Sequence, residues 1–161
     1  MKIQFKKNHP DAVVPTRANP TDIGMDLVAI RIHKVLENGV ILYDTGISVK
    51  PPAGYYTEIV PRSSISKSGW MLANNVGIVD PDYRGNLLIA LKPMLFQQVV
   101  NSDLEDEVFR ARYVYPPELQ TPFCLCQIVL RKAEYGEMEE VSEFDITVRG
   151  DGGFGSTGSR V

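Results

Sequence analysis

Short apolar runs, many of them alternating with polar residues, recur along the chain between turn-forming clusters. They fall at 2–5, 27–32, 40–43, 46–49, 55–60, 76–79, 87–91, 108–114 and 123–130. Val, Ile, Tyr and Phe are frequent in them, as suits side chains on a pleated, half-buried surface. Between them stand Glu37-Asn38-Gly39, Lys50-Pro51-Pro52-Ala53-Gly54, Pro81-Asp82-Tyr83-Arg84-Gly85 and Tyr115-Pro116-Pro117. In such turns Pro presets φ and Gly supplies a positive φ. Many short strands at regular spacing predict an all-β chain: a β-sandwich, jelly roll or barrel. The best helix candidate is 133–143, but Gly136 interrupts it and its acids lie on every side.

Composition supports this picture. A length of 161 residues suits one domain, and the 43% hydrophobic and 23% charged shares fit a soluble chain with a core. Thirteen glycines and eleven prolines favour short elements joined by turns over long helices. The net charge of −3 does not favour nucleic-acid binding. No apolar stretch approaches the roughly 20 residues that a membrane helix needs, and charges break up the N-terminal run as no signal peptide would. We therefore expect no nucleic-acid or membrane partner. His9 and His33 are the only histidines, so histidine-based catalysis or metal binding has almost no candidates. Cys124 and Cys126 match no usual zinc spacing and form no disulfide framework, so a reducing, cytoplasmic setting is expected.

Four segments carry candidate chemistry. The segment 149–158 (RGDGGFGSTG) holds five glycines in ten residues. It is either a disordered tail or a strap that orders over a ligand. As a strap, its backbone amides, Ser156, Thr157 and the forked Arg149 would suit phosphate, and Phe154 would stack on a flat ring. The run 61–69 (PRSSISKSG) is either a solvated serine-rich loop or a phosphate cradle. Asp80 ends an apolar strand and precedes a turn, a place for a turn-capping Asp or a catalytic carboxylate. Asp22 and Asp26 have two readings as well, as turn formers or as neighbours of a metal. The acidic run 101–107 (NSDLEDE) reads as an exposed loop.

Five segments in order resemble the motifs of the trimeric deoxyuridine triphosphate nucleotidohydrolases, the dUTPases. They are Asp22-Ile23-Gly24-Met25-Asp26-Leu27, Pro61-Arg62-Ser63-Ser64, the stretch 74–85 (NNVGIVDPDYRG), Gln127-Ile128-Val129, and 149–158. The third and fifth are the most specific. The resemblance implies a jelly-roll-like β domain over 1–148 and a flexible glycine-rich tail over 149–161. It implies a homotrimer in which that tail closes over an active site of another subunit. The implied reaction is hydrolysis of dUTP to dUMP and pyrophosphate, which keeps uracil out of DNA and supplies dUMP for thymidylate synthesis. Mg²⁺ would be held mainly by the triphosphate, with Asp26 near its water shell.

The same resemblance assigns roles. Asp80 would orient the water that attacks the α-phosphorus. Tyr83 would pack under the deoxyribose, and Asn74 with the backbone of Gly77 to Val79 would read uracil. Arg62, Ser63, Ser64 and Gln127 would bind phosphates of a neighbouring site. Arg149, Gly155, Ser156 and Thr157 would hold the terminal phosphates, and Phe154 would cover the base. Three places depart from the family pattern: Met25, Ser64 where Gly is common, and Pro122 to Cys126 before Gln127. The stretch 91–123 is longer than usual by one loop or hairpin. The related dCTP deaminases need a Glu at the base, and the third motif offers only Asp80 and Asp82. A non-catalytic nucleotide-binding regulator is a further alternative, although every expected catalytic side chain is present.

Overall fold

The chain is all-β, with a single 3₁₀ turn among the described residues. The computed structural model describes residues 1–100 and 110–153, with the backbone alone at 96–100 and 110–113. Positions 101–107, Phe154, Gly155, Ser156 and Thr157 therefore lie outside the described residues.

Two four-stranded antiparallel sheets form the body. The first is ordered β2 (Met25–Ala29), β12 (Phe123–Lys132), β6 (Tyr55–Pro61), β8 (Gly77–Val79). The second is ordered β3 (Arg31–Val35), β4 (Ile41–Asp44), β9 (Leu88–Pro93), β7 (Trp70–Leu72). β1 (Gln4–Lys7) pairs with β5 (Ile47–Lys50), and β10 (Phe96–Val100) pairs with β11 (Arg110–Val114). This last hairpin lies within the stretch 91–123. The chain passes from one sheet to the other between β2 and β3, at Ile30, and again between β6 and β7, between β7 and β8, and between β8 and β9. Such repeated crossing produces a jelly-roll-like sandwich.

Alternation explains the packing. In β6, Thr57 and Ile59 are buried while Glu58 is only half-buried. Leu27, Ile59 and Ile128 from the first sheet share one core with Tyr43, Ile89 and Leu91 from the second. Tyr43 meets Phe123 edge to face at 4.8 Å, a favoured aromatic geometry. Trp70 donates its indole N–H to the Pro117 carbonyl at 3.0 Å, tying the segment after β11 to the core.

Two local expectations change. Residues 133–143 form no helix: the segment has no regular secondary structure and is exposed beyond Ala133, because Gly136 and acids on all sides leave no apolar stripe to bury. The run 61–69 contains a 3₁₀ turn, Ser63–Lys67, instead of an irregular loop. Ser66 and Ser68 close it by donating to the carbonyls of Ser63 and Ile65, both at 2.7 Å. Among the described residues no helix is long and apolar enough to cross a membrane.

Candidate active site

The third motif builds a cleft at the end of the first sheet. A turn leads into β8, with Asn75 in the left-handed region at φ 57°, which Asn tolerates better than most residues. A Cβ at Gly77 would sit 3.2 Å from the Ile59 Cβ and 3.3 Å from the Asn74 amide nitrogen. Glycine there lets Asn74 lie close against the strand. Beyond β8, Tyr83 N–H donates to the Asp80 carbonyl at 3.1 Å and closes a β-turn over Asp80 to Tyr83. A Cβ at Gly85 would overlap the Tyr83 ring, so glycine lets the ring fold back. The Tyr83 hydroxyl then donates to the Asn86 carbonyl at 3.0 Å.

The resulting cleft measures about 190 Å³ and is lined by Asn74, Gly77, Ile78, Val79, Asp80, Tyr83 and Asn86, among others. Asp80 is exposed at its edge. Five of the residues expected from the sequence thus come together. Asn86 was not anticipated. Its only signal was a polar residue at the entry to an apolar strand.

A second group forms where β2, β12 and β6 meet. Gln127 lies opposite Asp26 on one side and Val60 on the other. Arg62 Nε pairs with Asp26 Oδ1 at 3.0 Å, and Arg62 Nη1 donates to the Cys124 carbonyl at 3.2 Å. Gln127 donates to the Pro61 carbonyl at 3.1 Å. A Cβ at Gly24 would overlap the Gln127 amide, which explains glycine in the first motif. Ser63 and Ser64 are exposed on the 3₁₀ turn that follows Arg62. Asp22 has the turn role: it accepts from the Asn19 backbone at 2.8 Å and side chain at 3.1 Å.

Among the described residues no hydrogen bond or ion pair joins this group to the cleft. Arg149 stands apart from both, donating to the Gly152 carbonyl at 2.9 Å in a turn where Gly150 has φ 52°. Burial pushes the Cys126 thiol up to about 12. Cys124 is raised as well, by burial and then by the Asp26 charge. Neither is suited to act as a thiolate.

Among the described residues no three His, Cys, Asp or Glu side chains cluster to hold a metal. Asp26 is a lone carboxylate beside an Arg. That donor set suits a hard cation bound chiefly by substrate oxygens, with the protein reaching it through water.

Comparison with known proteins fits these motifs. A sequence model of the dUTPase family matches residues 11–107. The deoxyuridine 5'-triphosphate nucleotidohydrolase of Finegoldia magna is 37% identical, over 98% of this chain and 98% of its own. That of Arabidopsis thaliana is 36% identical, over 96% and 82%. That of Escherichia phage T5 is 32% identical, over 98% and 99%. The solved dUTPase of Staphylococcus bacteriophage 80alpha, with dUpNHpp, shares the fold at TM-score 0.72 and 22% identity, covering 98% of this chain and 99% of that chain. Motifs, architecture and relatives agree, and this chain belongs to the dUTPase family.

Proposed function

We propose that the protein hydrolyses dUTP to dUMP and pyrophosphate, by attack of an Asp80-oriented water on the α-phosphorus. The observation that carries this reading is the cleft itself. It sets an exposed carboxylate beside an aromatic ring and a strand edge, in a chain of the dUTPase family.

Each residue has a task its chemistry suits. β8 is the end strand of its sheet, so one row of its backbone N–H and C=O groups is unused by the ladder and is free to read the uracil edge. Asn74, packed against Gly77, adds a side-chain amide. The Tyr83 ring supports the deoxyribose face and leaves no room for a 2′-hydroxyl. Asp80 accepts a proton from the attacking water, acting as general base without a histidine. Arg62, Ser63, Ser64 and Gln127 bind phosphate oxygens, as do Arg149, Gly155, Ser156 and Thr157 of the tail. Phe154 covers the base. Asp26 would approach a substrate-bound Mg²⁺ through water, and that ion would supply charge neutralisation on the triphosphate.

Membership of the dUTPase family favours a site shared between copies. A homotrimer supplies it: each site takes its cleft from one subunit, its Arg62 group from another and its strap from 149–161 of a third. The exposed segment after β12 supports association. Its Met138, Phe144, Ile146 and Val148 are almost wholly exposed in the single chain, an apolar series that burial in a partner would stabilise. Through this reaction the enzyme keeps uracil out of DNA and provides dUMP for thymidylate synthesis in the cytoplasm.

Pyrophosphate release decides the function. We expect Mg²⁺-dependent release from dUTP, and little from dTTP, dCTP or UTP. Ammonia release from dCTP, with no pyrophosphate from dUTP, would overturn the reading.

A further inference from the structure

We infer that Asp44 is a positioning residue for substrate selection: it holds Asn86, and through Asn86 the Tyr83 ring, in the geometry that excludes a ribonucleotide. The inference rests on reading Tyr83 as the platform for the sugar.

Asp44 ends β4 and is 1% exposed. Its carboxylate is fully used. Oδ1 accepts from Gly46 N–H at 2.8 Å and from the Asn86 amide at 2.9 Å. Oδ2 accepts from Arg31 Nε at 3.1 Å and Nη2 at 2.7 Å. A buried charge is expensive unless paired and hydrogen-bonded, and here the bonds outweigh burial: the pKa of Asp44 lies below the ordinary aspartate value. The carboxylate is thus a fixed anchor across neutral pH.

Asn86 is held from both ends of its amide. Its Nδ2 donates to Asp44, and its Oδ1 accepts from the Asn8 amide at 2.7 Å. Its backbone carbonyl accepts the Tyr83 hydroxyl. The next residue is clamped by the same turn, since Leu87 O accepts the Thr45 hydroxyl at 2.9 Å and Leu87 N–H donates to Ile47 at 2.7 Å. The Tyr83 hydroxyl therefore hangs on a carbonyl whose place a buried carboxylate sets from outside the cleft. A site that must reject one hydroxyl depends on tight placement of the excluding group, so loosening this link affects selectivity before chemistry.

The test is a swap. Asn86→Asp sets two carboxylates against each other. We expect it to lower the ratio of kcat/KM for dUTP over UTP by about tenfold, mostly through KM. Adding Asp44→Asn removes the contact between two carboxylates, and part of the lost ratio should return. A ratio lost in Asn86→Asp and not recovered in the double variant overturns the inference, because residue 86 then acts on the ligand directly or through the fold. If Asn86→Asp does not fold, Asn86→Ala replaces it. Asp44→Asn should then cause no further fall in the ratio on that background, and a further fall overturns the inference. Tyr83→Ala separates the two levels. An unchanged ratio in Tyr83→Ala removes the platform reading and this inference with it. A lowered ratio there, beside an unaltered Asn86→Asp, removes the Asp44 link alone.

Discussion

Asp80 and Tyr43 show how differently single side chains serve this protein. Asp80 lies exposed at the cleft, available to a water. Asp80→Asn keeps size and hydrogen bonding but cannot take a proton. We expect kcat to fall about 10²- to 10⁴-fold while dUTP still binds, as measured by pyrophosphate release and equilibrium titration. An unchanged kcat would remove its assigned role. Tyr43 is the reverse case, wholly buried with a hydroxyl that has no hydrogen-bond partner among the described residues. An orphaned buried hydroxyl costs roughly 1–3 kcal/mol. Tyr43→Phe keeps the ring against Phe123 and should leave stability equal or higher in thermal unfolding; a clear loss would mean the hydroxyl has a partner in the assembled protein.

At the scale of elements, close approaches between strands set the geometry of the site. The Gly24 backbone lies against the Gln127 side chain just before β2 enters the first sheet. Gly24→Ala forces the amide aside and should destabilise by about 1–3 kcal/mol, with weaker dUTP binding, read by denaturant unfolding and by KM. The β4–β5 corner contributes to the pH dependence. Asp44 has a lowered folded-state pKa, so the unfolded chain takes up its proton first as pH falls. Its contribution is fully present above the ordinary value of 3.8 and is lost as pH drops below it toward the folded-state value. Asp44→Asn should flatten the acid limb of the stability profile and leave its shape near neutrality unaltered.

Legibility differed among elements for physical reasons. β6 was readable because its alternation matches the face it buries, and β12 because it is a long, nearly continuous apolar run. β2 and β3 merged in a single apolar run, because the switch between sheets at Ile30 leaves no turn residue behind. β7, with three residues, is too short to show a period. The 3₁₀ turn was hidden by serines, which serve loops and short helical turns alike. Asn86 could not be found at all, since its partner Asp44 is 42 residues away.

For the whole molecule, the tail and the oligomer are the variables. Removing residues from 150 onward should strongly impair hydrolysis while leaving the proposed trimer intact in light scattering. Dissociation on truncation would make the tail a structural element instead of a lid. The sequence alone determined the all-β class, the family and most residues of the cleft. Those depend on local alternation, on turn chemistry, and on a contiguous motif over 74–85 whose glycines and tyrosine act within a few positions of one another. Only the tertiary structure decided that Arg62 pairs with Asp26 and that Gln127 rests on Gly24. It alone joined Asp44 to Tyr83 through Asn86. Those facts depend on strand register and on two sheets sharing a core, and they bring together residues whose spacing along the chain carries no signal of contact.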